Sequence, residues 1–139
     1  MKPNLLYIRK IEYCEAYHLR RAVILPAQAK ALVQEPMPWQ ELPMVGLASL
    51  ETTEEVEKGV RITTVKLQAK LCRAVTLPAS PLSFRITDVH GKTFLLGTAA
   101  APHPLATISL QVADNPSNEA TYTFTLQQKS SLGLLIITH

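Results

Sequence analysis

Four histidines and two cysteines are the residues of this chain best suited to hold a metal or move a proton. His18, His90, His103 and His139 are scattered, with no His-x-His or His-x-x-x-His spacing and no neighbouring carboxylate pair. Zinc needs ligands at set spacings, and neither Cys14 nor Cys72 belongs to a Cys-x-x-Cys unit. His90 falls at an expected hairpin tip, His103 between two prolines in an extended linker, and His139 is the terminal residue. Nucleophilic catalysis fares no better. There is no Gly-x-Ser-x-Gly elbow, and Ser130-Ser131-Leu132-Gly133 lacks its first glycine. No glycine-rich phosphate loop exists. Asp88 and Asp114 are the only aspartates, both in or near expected turns, where Asp makes local hydrogen bonds. The glutamates Glu51, Glu54, Glu55 and Glu57 lack the glycine and alternating ligands of a calcium loop and read as a solvated face. The expectation is therefore no catalytic residue, no metal, no cofactor and no enzyme.

The elements that would position any site are set by composition and periodicity. At 139 residues, 47% hydrophobic and 18% charged, the chain is expected to be a single β-rich domain over residues 1–139 with a packed core. A net charge of +3 with interleaved signs argues against nucleic acid. No apolar run reaches the ~20 residues of a membrane helix, and the start resembles no signal peptide, so a cytoplasmic protein is expected. Two cysteines make no disulfide framework; they read as small hydrophobes, with a single bridge as the alternative.

Ten prolines divide the sequence into four parts. In the first, Leu5, Tyr7, Arg9, Ile11 and Tyr13 alternate with Leu6, Ile8, Lys10 and Glu12 as in a strand. Glu12 to Leu25 fits strand or helix, and Ala27 to Gln34 favours a short helix after Pro26. The second, Glu35 to Lys58, reads as a long irregular loop, which in a compact domain is functional or mobile. Within it Thr52 and Glu55 fit a capping box with a helical turn ending at Gly59, or simply a solvated acidic loop. The third, Val60 to Cys72, is one long strand, with Val65, Leu67, Ala69 and Leu71 on one face and Lys66, Gln68 and Lys70 on the other. Arg61 and Thr63 share the apolar parity, so this row either bulges or leaves the core at its start.

The fourth part holds the remaining strands. For Phe84 and Ile86 to share a face with Phe94 and Leu96, Ile86 must oppose Phe94 and Phe84 oppose Leu96. That register requires a three-residue Val89-His90-Gly91 loop with Gly91 in the left-handed region. Ala106 to Val112 and Thr121 to Gln127 form a hairpin with one core face and one Thr/Gln face, joined by a polar tip at Ala113 to Glu119. Leu132 to Thr138 is apolar on both faces, so it is central in the sheet or covered. The fold expected is mainly β, an antiparallel sandwich or partly open barrel with one or two short helices in the N-terminal half.

Between Ala74 and His139 only Arg85, Asp88, Lys92, Asp114, Glu119 and Lys129 are charged. Either Thr, Ser and Gln supply the wet face, or part of the sheet meets other subunits, since interface cores are depleted in charge. The segment Leu82-Ser83-Phe84-Arg85-Ile86-Thr87-Asp88-Val89-His90-Gly91-Lys92, with Leu95-Leu96-Gly97-Thr98 and Pro102-His103-Pro104, resembles small uncharacterised prophage proteins of gut bacteria. The resemblance covers about half the chain and implies a virion structural or morphogenesis component, with no catalytic residues to carry over.

The function expected is thus a structural or assembly protein acting through other protein subunits, a homo-oligomer or virion component. Trp39, Met37 and Met44 are the candidate protein contacts, and the Glu35 to Lys58 and Ala113 to Glu119 loops the contact elements. The alternative for Trp39 is a plug over its own core. A ligand-binding β-barrel or sandwich is the rival reading, and an enzyme on that scaffold the third.

Overall fold

The structure, a computed structural model, describes residues 4–25, 28, 30–33, 37–98, 103–111, 121–130 and 134–138. Its strands are β1 (Asn4–Glu15), β2 (Val23–Leu25), β3 (Lys30–Leu32), β4 (Gln40–Glu41), β5 (Ala48–Glu57) and β6 (Val60–Leu71). They continue as β7 (Leu82–Asp88), β8 (Thr93–Leu96), β9 (Leu105–Gln111), β10 (Thr121–Ser130) and β11 (Leu135–Thr138). All belong to one open sheet in the order β2-β3-β11-β8-β7-β1-β5-β6-β10-β9, with β4 also paired to β1. The protein is mainly β. The expected antiparallel sandwich or partly open barrel is instead one open mixed sheet, in which β11 runs parallel to β3.

The sheet curls on itself. Phe84 of β7 and Phe124 of β10 lie with ring centroids 5.9 Å apart, although three strands separate β7 from β10 in the sheet. Around this contact the inner faces of β1, β5, β6, β7, β8 and β10 form the main core, which includes Ile8, Ile11, Leu50, Val65, Leu67, Ile86 and Leu126. A second cluster, Leu19, Ala31, Val33, Leu95, Leu135 and Ile137, includes residues of β3, β8 and β11. Strands β8 and β11 therefore serve both clusters: Phe94, Leu96 and Ile136 meet the first, while Leu95, Leu135 and Ile137 meet the second. This is why Leu134 to Thr138 carries apolar residues at both parities.

Several sequence expectations hold in detail. Ile86 opposes Phe94 and Phe84 opposes Leu96. Gly91 has φ +87°, its N–H donates to Asp88 O at 3.1 Å, and Asp88 N–H donates to Lys92 O at 2.9 Å, closing the three-residue loop. The β9–β10 hairpin forms from Thr121↔Gln111 to Gln127↔Leu105, while its expected tip at 113–119 lies outside the described residues. In β6 the apolar row simply leaves the core: the β5–β6 register runs unbroken from Ser49↔Gln68 to Glu57↔Val60, without a bulge.

The N-terminal half requires correction. No α-helix occurs among the described residues; a 3-10 turn, Ala16–Leu19, follows β1. Lys30–Leu32, expected to be helical, is strand β3, because pairing with β2 and β11 outweighs the modest helix preference of Lys and Ala. The rest of that expected helix lies partly outside the described residues. Glu35 to Lys58 is no long irregular loop: it contains β4 and β5. The Thr52–Glu55 capping box is absent, since both residues pair with β6 opposite Val65 and Ile62. Gly59 (φ +80°) does not cap a helix but forms, with Lys58 (φ +50°), the two-residue turn between β5 and β6.

Gly91 and Gly97 both have positive φ, yet they differ in surroundings. A Cβ at Gly91 would meet only Arg9 Nη2 at 3.8 Å, whereas at Gly97 it would lie 2.8 Å from Pro104 Cδ and Cγ. Gly91→Ala should lower stability by about 1 kcal/mol, the left-handed penalty alone. Gly97→Ala should cost more, because the Pro104 ring and the chain entering β9 must also shift. Urea unfolding of the two variants measures the difference, and equal losses would contradict it.

Candidate functional site

The surface with most to offer a partner is the outer face of β1, β5, β6, β10 and β9. Alternation along each strand turns the core residues inward and leaves the others in a ladder across the sheet. One row runs Tyr7, Ser49, Gln68, Thr125, Thr107, and the next Leu5, Glu51, Lys66, Gln127, Leu105. The middle of this face is hydroxyl, amide and a few charges; its two margins are apolar.

At the β1 margin the segment before β5 rises above the sheet. Val45 N–H donates to Lys70 O at 2.8 Å and Cys72 N–H to Pro43 O at 2.9 Å, holding residues 43–45 against the end of β6. Gly46 then turns the chain with φ +70°, so Val45 and Leu47 stand beside Tyr7. Together with Ser49, Gln68, Lys70 and Thr123 they line an open groove of about 480 Å³. Val45, Tyr7 and Leu47 are 53%, 53% and 57% exposed, which is far more than a folded chain needs to show of three large apolar side chains placed together. The groove offers an apolar wall, amide and hydroxyl partners, and the cation of Lys70. It offers no nucleophile paired with a base.

The residues singled out from sequence are placed elsewhere. Trp39 and Met37 are partly buried and pack on the second core cluster. Met44 packs on the main core and bridges to Leu71. The Arg85 guanidinium lies 4.8 Å from the Trp39 ring centroid and forks onto Glu12, with Nε donating to Oε1 at 2.9 Å and Nη2 to Oε2 at 2.7 Å. Lys10 Nζ adds a longer contact to Glu12 at 3.8 Å. Trp39 thus lies against a cation held by a buried carboxylate, in keeping with its reading as a plug. Of the contact elements expected at Glu35 to Lys58, the exposed apolar pair is Val45 and Leu47 rather than the aromatic.

The chemically capable side chains are dispersed. His18 stacks on Tyr17 with centroids 4.0 Å apart, His90 sits on the β7–β8 turn, and His103 precedes β9. His139 lies outside the described residues. Asp88 is buried, and its Oδ1 accepts from the N–H groups of His90 at 2.9 Å and Lys92 at 2.8 Å, a local turn role. Cys14 is buried and Cys72 exposed, and they form no disulfide. Among the described residues no group of three or more His, Cys, Asp or Glu could hold a metal ion. No helix is long and apolar enough to cross a membrane among those residues. No protein-family model, curated protein or solved structure matches the chain.

Sequence reasoning missed Tyr7, Val45 and Leu47. The available signal was that Leu5, Leu6, Tyr7 and Ile8 are apolar at both parities, which leaves two of them outside any single core.

The Trp39–Arg85–Glu12 stack yields a test by stability. Arg85→Ala removes the fork and leaves the Glu12 carboxylate buried, with an expected loss of about 3 kcal/mol. Trp39→Ala opens the second cluster at an expected cost of about 2 kcal/mol, below the fully buried range because the ring is partly exposed. The double variant should fall short of the sum, since the cation and ring share one contact. Strict additivity in chemical denaturation would show that Trp39 and Arg85 act independently.

Proposed function

We propose that this chain is a non-enzymatic structural or assembly protein that works by subunit–subunit contact, as a component of a phage or prophage virion. The observation that carries the reading is the exposed trio Tyr7, Val45 and Leu47 at the margin of the outer face. Apolar side chains gathered beside polar surface are what a partner's contact area requires. The neighbouring Ser49, Gln68 and Thr123 supply neutral hydrogen-bonding groups, and Lys70 adds a single cation. The prophage resemblance of the C-terminal half points the same way.

The rival reading, a small-molecule site, draws on the volume of the groove, which falls within the usual range for ligand pockets. It is weakened by position: the groove lies open on the outside of the sheet, whereas the space between its curled halves is filled by the main core.

Light scattering across a wide concentration range tests the proposal. The wild-type chain is expected to exceed the mass of one chain, with the mass rising as concentration rises. Val45→Glu combined with Leu47→Glu, both at exposed positions, should lower that mass while leaving the circular dichroism unchanged. A wild-type chain that stays at single-chain mass throughout overturns self-assembly. Saturable binding of an apolar dye to such a monomer, lost in the double variant, would favour the ligand site.

A further inference from the structure

Strand β9 ends the sheet, paired with β10 on one side and with no strand on the other among the described residues. An antiparallel strand directs alternate N–H and C=O groups toward its neighbour and the remainder away from it. Along β9 the second set therefore has no strand partner among the described residues. Protein edges of this kind are normally blunted by an inward charge, a lysine, a proline or a bulge. None of these devices is present in β9. Its residues Leu105–Gln111 contain no Lys, Arg, Asp, Glu or Pro, and the register with β10 continues without a shift over all seven pairs. The opposite end of the sheet is different: β2 has three residues and lies close after Arg20 and Arg21, with only Ala22 between.

From this edge we infer that β9 pairs with β9 of a second copy of the chain, antiparallel and across a two-fold axis perpendicular to the sheet. The inference rests on the assembly reading above and names its partner. Identity of the partner follows from the chemistry of the strand. An uncharged edge meets no like-charge repulsion from its own copy. The inner row of β9 also needs more of the same surface: Ala106 and Ile108 pack on the main core, but Leu110 in the same row is 52% exposed. A two-fold mate extends that row with identical residues and continues the core face from one copy into the next.

Register follows from parity. For inner faces to remain inner across the junction, paired residue numbers must sum to an even value. Complete overlap then sets Ile108 beside its own counterpart, Ala106 beside Leu110, and Thr107 beside Ser109 on the outer face. The Thr–Ser neighbours form a favourable cross-strand pair, and Ala106 gives the exposed Leu110 room. Leu105, 68% exposed, falls opposite Gln111 at each end.

The experiment is run in the Val45→Glu, Leu47→Glu background, which removes the groove contact and leaves the edge intact. That variant should still form a two-chain species by light scattering. Adding Thr107→Lys and Ser109→Lys, both at exposed outer-face positions, places like charges around the axis. It should raise the dimer dissociation constant about a hundredfold or more, with an unchanged circular dichroism spectrum. Mixing this variant with one carrying Thr107→Glu and Ser109→Glu should restore a two-chain species containing one of each. A single-chain groove variant, or a dimer indifferent to the lysines, overturns the β9 pairing. If the wild type nevertheless exceeds one chain mass, the assembly reading survives that result; if the wild type is itself single-chain, both fall.

Discussion

The bulge at Arg9 sets the geometry on which the other elements depend. The β1–β7 register shifts between Ile8 and Lys10, so one residue is inserted where strict alternation would continue. Alternation alone would send Ile8 and Ile11 to opposite faces. With the extra residue both enter the main core, and Lys10 and Glu12 move to the other side. Arg9 itself secures the distortion by donating from Nε to Asp88 O at 3.1 Å. Asp88 in turn closes the β7–β8 turn through its carboxylate and backbone. The bulge also coincides with a change of neighbour: β1 pairs with β5 from Asn4 to Ile8 and with β4 at Glu12 and Tyr13. One inserted residue therefore lets a single strand line the core along its whole length while its outer edge passes from one partner to another.

Beyond the bulge the opposite face of β1 acquires a second task. Glu12 reaches Arg85 across the β1–β7 pair, and Trp39 covers the cation. Beside them Leu95, Leu135 and Ile137 make this same side of the sheet apolar, and Leu19, Ala22, Met37 and Trp39 pack with them. Two short strands and a 3-10 turn suffice for that cover because β11 supplies a parallel neighbour for β3. Had the segment been a regular helix, it would have satisfied its own backbone groups and left that edge of β11 unpaired.

How much of this was legible follows from where alternation is uninterrupted. From Val60 onward each strand keeps one parity in the main core, with β8 and β11 turning the other toward the second cluster, so facing residues could be matched by number and even the turn at His90-Gly91 followed from the register. Before Val60 two signals misled. At Arg9 the inserted residue inverts parity, and nothing in the local composition marks it, since Arg is unremarkable in a bulge or out of one. At Thr52 to Glu55 a helix-start pattern coincides with β-branched Thr52, Thr53 and Val56, and long-range pairing with β6 decides in favour of the strand. The groove was invisible for a related reason: Val45 and Leu47 meet Tyr7 only because residues 43–45 fold back on β6.

The scarcity of charge after Ala74 had two explanations, and the ladder on the outer face separates them by location. On β9 and β10 Thr107, Ser109, Thr123, Thr125 and Gln127 form a continuous wet surface, and hydroxyl and amide groups there account for the missing charges without any partner. That account stops at the margins. Tyr7, Val45 and Leu47 on one side and Leu105 on the other have no polar ladder to complete, and the apolar surface they expose gains nothing from water. An isolated domain could replace each of these side chains by a polar one without disturbing its core, because none of them belongs to the core. Their common placement at the two sides of an otherwise hydrated face, rather than their number, is what distinguishes this surface from the ordinary scatter of exposed hydrophobic residues.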